Sequence, residues 1–231
     1  MGLISRATLS SIEDKRAQQD FLLQNISEFT EWGGPSWASL CRYAFSRLGS
    51  LENKRVLEIG FRSGKITALF ALLGASVTAL EVDASLIPKA REQLGRLGVT
   101  SNVSLLHYDG DISHCKELRD GEFDVLFSKS VLVLLRDSLP QYLHKLDELL
   151  AVNGRFVFLE NAYGGKIFSL LRCLRSREWP RSTGIDYFRE YHLQLISEIF
   201  RVDDVKKTRF RPVYLIIGGK KRKRPGQTVL T

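Results

Sequence analysis

From residue 55 onward the chain alternates apolar segments with amphipathic ones, and this constrains the fold more than any other feature. The spacing predicts strands over 55–60, 76–82, 103–107, 122–128 and 155–160. These segments are apolar through their length, not at every second position. Such strands are buried on both faces, which requires a parallel sheet covered by helices on either side. Helices are expected at 64–73, stopped by Gly74, at 84–97, closed by Gly98, and at 139–150. An Asn153-Gly154 turn is expected to introduce the fifth strand. Upstream, 12–31 and 36–48 read as helices parted by the break Glu31-Trp32-Gly33-Gly34-Pro35. Downstream come helical stretches at 165–177 and 185–199, then strands at 201–209 and 212–218. No internal repeat is present.

The chain has 231 residues, 44% of them hydrophobic, which suits one packed domain. That domain is expected over 1–219. A helical cap would occupy 1–50, a ligand-binding core 53–161 and a helical insert 162–200, with a disordered basic tail at 220–231. Cys41, Cys115 and Cys173 lie far apart, so neither a disulfide scaffold nor a cysteine-rich metal site is expected. The four histidines are scattered, and no metal site is expected from them. The start lacks a basic stretch followed by an apolar core, and Arg6 stands where a myristoylation motif wants Ser or Thr. The longest uncharged run, Ile66 to Leu80, is short of the roughly 20 residues that span a bilayer. A cytoplasmic protein follows as the expectation, with peripheral membrane contact left open.

Ligands of an open parallel sheet bind beyond the carboxyl ends of its strands. After the first strand stands Glu58-Ile59-Gly60-Phe61-Arg62-Ser63-Gly64, whose glycines let backbone approach a ligand. Glu81 and Val82 end the second strand, 21 residues after Gly60 for the acid, where a carboxylate can accept from ribose hydroxyls. Asp109-Gly110-Asp111 follows the third strand, and an acid there can accept from an adenine amino group. Ser128 closes the fourth. A dinucleotide fingerprint counted from Gly60 would need glycine at 62 and 65, where this chain has Arg62 and Lys65.

These residues resemble the class I S-adenosylmethionine-dependent methyltransferases over about 53–161, with a weaker tail to 218. Val56-Leu57-Glu58-Ile59-Gly60 with Gly64 is similar to that family's ExGxGxG strand and turn. The segment from Gly74 to Glu81 is similar to its second motif, Tyr108-Asp109-Gly110-Asp111 to its third and Phe123 to Ser128 with Val131-Leu132 to its fourth. Leu150 to Phe156 resembles the loop and strand that follow. The resemblance implies a Rossmann-like sheet of seven strands, mostly parallel with the last antiparallel. It implies S-adenosyl-L-methionine as cofactor, with ribose on Glu81, adenine on Asp109 and the methionyl side on Gly60 and Gly64. Glu58, Phe61, Arg62, Val82, Gly110, Asp111 and Ser128 complete the expected cofactor-binding set.

Arg62 departs from the motif's middle glycine. It can crowd or strain the turn, pair with a carboxylate, or point to solvent. A member of the fold that has lost its cofactor is the pessimistic reading.

On the acceptor side, Phe29, Trp32 and Trp37 are candidates for a lid or for packing. Lys129 is a candidate for binding or steering an anionic acceptor, and His192 for a general base, with Tyr191 beside it. The expected acceptor is a small or medium-sized metabolite, anionic or amphiphilic, methylated on oxygen or nitrogen.

Residues 1–154 carry 17 Lys and Arg against 19 Asp and Glu, whereas 155–231 carry 17 against 7. The basic excess includes Arg172, Arg175, Arg177 and Arg181 on the expected insert helix. That helix can wall an anionic acceptor, touch a membrane surface or expose a solvated face. A nucleic-acid methyltransferase using this basic half and a non-catalytic binding protein remain as alternatives.

Overall fold

The structure is a computed structural model, and it describes residues 4, 6–12, 14–30, 34–161, 188–208 and 213–221. Seven strands form one sheet: β1 (Arg55–Ile59), β2 (Ser76–Glu81), β3 (Val103–His107), β4 (Phe123–Lys129), β5 (Leu150–Asn161), β6 (Phe200–Lys207) and β7 (Val213–Lys221). Their order is β3-β2-β1-β4-β5-β7-β6. All pairings from β3 across to β5 are parallel, and β7 runs antiparallel to both neighbours, as expected. The order reverses at β1, which lies between β2 and β4, and this switch opens a crevice at the strands' carboxyl ends.

Helices cover both faces: α1 (Arg6–Ser10), α2 (Lys15–Gln24), α3 (Gly34–Leu48), α4 (Lys65–Leu72), α5 (Leu86–Leu97), α6 (Leu139–Leu149) and α7 (Glu190–Ile199). Successive residues of one strand enter opposite cores. Val56 and Phe127 join the layer of α3, α4 and α5, whereas Leu57, Ile59 and Leu126 join that of α6 and α7. In the first layer the Phe70 ring packs tilted against Phe45, centroids 4.8 Å apart, and meets Phe127 edge-on at 5.3 Å.

Several expectations are corrected. The helix expected at 12–31 ends at Gln24, because Asn25 turns its side-chain amide back to the Phe21 carbonyl at 2.9 Å. A 3₁₀ turn, Ile26–Phe29, follows and buries both end residues. Asn153-Gly154 is no reverse turn: β5 starts at Leu150 and runs through it, with an irregular register against β4. β7 extends to Lys221, two residues into the expected tail, where pairing with β6 satisfies its backbone. The 185–199 helix begins only at Glu190. The insert helix 165–177, Arg172, Arg175, Arg177 and Arg181, Trp32, Cys173 and residues 222–231 lie outside the described residues. No helix among the described residues is long and apolar enough to cross a membrane.

Phe70 is fully buried in the aromatic cluster. Phe70→Ala should therefore cost about 3–5 kcal/mol of stability in urea unfolding.

Candidate active site

The turn after β1 is left-handed at every second residue: φ is 78° at Gly60, 53° at Arg62 and 76° at Gly64. At Gly60 and Gly64 this is inexpensive, but at Arg62 it costs about 1–2 kcal/mol. The turn points the Arg62 N–H at Oε2 of Glu81, 2.9 Å away. Glu81 Oε1 accepts from the N–H groups of Val82 at 3.0 Å and Asp83 at 3.2 Å. This nearly buried carboxylate therefore fastens the end of β2 to the turn after β1. About one of its roughly four lone-pair sites is left for a further donor.

A methyl group in place of the Gly64 hydrogen would lie 3.0 Å from Cβ of Ala90, so glycine also lets α4 start tight against α5. Beside Glu81, Val82 is 53% exposed, and the next strand end brings Gly110 to its flank. Asp109 accepts from the Asp111 N–H at 2.9 Å and pairs with Nδ1 of His114 at 2.7 Å. The His114 hydrogen bond holds Asp109 below the usual carboxylate range and in turn raises the imidazole. Asp111 caps the following turn through the N–H and hydroxyl of Ser113.

A shallow cleft opens on the α3 and α4 side of the same strand ends. Its polar lining is Glu58, Arg62, Lys65 and Lys129, and Phe29, Phe61 and Phe127 supply apolar wall. Glu58 is buried and its Oε2 accepts from the Thr67 hydroxyl at 2.6 Å, which ties β1 to α4. The Lys129 ammonium sits 5.1 Å from the centroid of the Trp37 ring. Cys41 lies in the adjoining core, its thiol pushed up to about 12 by burial, so it is no nucleophile.

The structure brings the expected cofactor residues to one rim. Ser128 is the exception in direction: it lies on the α6 and α7 side, buried, its hydroxyl without a hydrogen-bond partner among the described residues. Lys129 lines the cleft, whereas His192 and Tyr191 do not. His192 is buried at the start of α7, where its Nδ1 accepts the Arg189 N–H at 2.9 Å. Its ring stacks on Phe188 at 5.0 Å and on Tyr191 at 3.8 Å, and Tyr191 is 51% exposed. Lys65, His114 and Glu160 escaped the sequence reading. Glu160 carried a usable signal, since it ends an apolar run just as Glu81 does.

Residues 57–158 match the family model of a methyltransferase domain. Over that stretch, a little under half of its length, the chain is similar to methyltransferase domains. The chain is 32% identical over 131 residues to protein-L-isoaspartate O-methyltransferase of Myxococcus xanthus (strain DK1622), covering 56% of this chain and 57% of that one. The match thus spans little more than half of that relative's length. In fold the chain is similar to a SAM-dependent methyltransferase from Aquifex aeolicus, with TM-score 0.62, 17% identity and coverage of 86% and 98%. It is also similar to the N-methyltransferase NodS from Bradyrhizobium japonicum WM9 in complex with S-adenosyl-L-homocysteine, with TM-score 0.58, 17% identity and coverage of 87% and 98%.

The residues present fit the expected cofactor, S-adenosyl-L-methionine. Glu81 offers a held carboxylate, Val82 an exposed apolar face, and Gly60 and Gly64 two left-handed positions without side chains. Among the described residues no cluster of His, Cys, Asp or Glu could hold a metal ion.

Two outcomes test this geometry. Arg62→Gly removes the left-handed strain and should raise stability by about 1 kcal/mol in urea unfolding. Glu160 is fully buried and burial pushes its carboxyl up to about 8. Between the unfolded value of about 4.3 and that value, the native state keeps a proton that the unfolded chain releases, so stability falls as pH rises. Thermal unfolding of Glu160→Gln should therefore gain on wild type steadily from about pH 5 to about pH 8.

Proposed function

We propose that the protein transfers a methyl group from S-adenosyl-L-methionine to oxygen or nitrogen of a small or medium-sized metabolite of anionic or amphiphilic character. The observation that carries this is the Glu81 carboxylate held against the Gly60–Gly64 turn, with the Lys129 cleft opening at the same strand ends. In this reading Glu81 takes the ribose, Val82 and Asp109 the adenine, and Gly60 and Gly64 the methionyl chain. Bound there, the cofactor would supply a methyl group activated by its sulfonium to an acceptor's lone pair.

With so good a leaving group, the protein's task is alignment and exclusion of water. Phe29, Phe61 and Phe127 make the cleft wall apolar, and Lys129, Arg62 and Lys65 place cations around it. A carboxylate on the cofactor and an anionic group on the acceptor both suit such a set. Support for either atom comes from the relatives, whose names divide between an O- and an N-methyltransferase. His192 spends Nδ1 on the helix cap, so this reading gives proton transfer to no residue of α7.

Glu81→Ala should weaken binding of S-adenosylhomocysteine by about 1–3 kcal/mol, the scale of losing hydrogen bonds to a charged group. Calorimetry on the folded variant reads it. An unchanged dissociation constant would refute the assignment.

A further inference from the structure

The end of β5 grips the segment that follows β4. The Ser130 N–H donates to the Leu159 carbonyl at 2.7 Å, and the Asn161 side-chain amide donates to the Ser130 hydroxyl at 2.9 Å. Between them, Oε1 of Glu160 accepts the N–H groups of Val131 at 3.2 Å and Leu132 at 3.1 Å. Ser130 is left-handed, with φ of 58°, and this turn lets successive amides face one carboxyl group. Oε2 of Glu160 finds no hydrogen-bond partner among the described residues. A buried carboxyl with an unsatisfied oxygen is a costly way to satisfy two amides.

The gripped segment leads back to the cofactor rim. A methyl group in place of the Gly60 hydrogen would lie 2.8 Å from Cγ2 of Val131, so Val131 rests directly on the left-handed turn. Any rerouting of residues 131 and 132 changes the space above Gly60. Without the Glu160 carboxyl, two amides beside the buried Leu132 lose their acceptor, and the segment must move to find others.

We propose that Glu160 is a positioning residue for the cofactor: its carboxyl holds Val131 and Leu132, and through Val131 it sets the clearance over Gly60. The inference rests on the cofactor reading above. It differs from a purely structural role, which would lower the melting temperature and leave ligand affinity unmoved.

The test is calorimetry of the full chain with S-adenosylhomocysteine, on wild type, Glu160→Ala, Glu160→Gln and Val131→Ala. Glu160→Ala should weaken binding by about tenfold or more, the scale on which small misplacements register. Glu160→Gln keeps a carbonyl oxygen for the same two amides and should stay within about twofold of wild type. Val131→Ala, which removes the contact with Gly60 and leaves the grip intact, should shift affinity by about threefold or more. A folded Glu160→Ala that binds like wild type overturns the proposal, as does a Gln variant no better than Ala. Should Glu160→Ala not fold, an unchanged affinity in Val131→Ala overturns it. No heat with wild type would remove the cofactor reading itself, and is distinguishable from all of these.

Discussion

The three backbone amides on the Glu81 carboxylate are the interaction on which the site depends. The Arg62 amide adds to the Gly60 and Phe61 N–H bonds on the Leu80 carbonyl that already join the ends of β1 and β2, and the Val82 and Asp83 amides hold the carboxylate in place for it. The Arg62 amide can reach Glu81 only from a left-handed residue, and the chain takes that conformation without the glycine that would make it cheap. The bond to a charged acceptor, about 1.5–3 kcal/mol, offsets the backbone cost of about 1–2 kcal/mol. Sheet order does the rest. Because β1 sits between β2 and β4, the turn, the Glu81 carboxylate and Lys129 open on one crevice.

The two faces of the sheet then divide the work. On the α3 and α4 side, Glu58 is satisfied by Thr67, and the cleft carries its cations over aromatic rings. On the α6 and α7 side, Glu160 and Ser128 are buried at neighbouring strand ends and each keeps an oxygen unsatisfied among the described residues. Polar groups that the hydrophobic core should exclude thus gather where backbone turns need fastening. Charge is arranged less simply than the sequence suggests. The basic excess lies after residue 154, yet the described cleft takes Arg62, Lys65 and Lys129 from the half with more acids than bases.

Much of this was legible in the chain itself. Five apolar runs, the glycines at 60 and 64 and the acids at 58, 81 and 109 specify strands, turns and rim directly, because backbone geometry and burial dictate those residue types. What the chain hid is tertiary. Nothing local marks His192 Nδ1 as a helix cap; that depends on the Arg189 amide folding back to it. The strand through Asn153-Gly154 reflects pairing with β4 overriding a turn signal. His114 matters only because the fold brings it to Asp109, and Glu160 because residues 130–132 wrap around the end of β5.

The most direct test of the account is a crystal structure of the protein with S-adenosylhomocysteine. The ribose should lie on the Glu81 carboxylate, adenine against Val82 beside Asp109, and the sulfur above the Gly60 turn facing the Lys129 cleft. Ligand density elsewhere, or an empty rim at saturating ligand while Glu81 keeps its three amides, would contradict it.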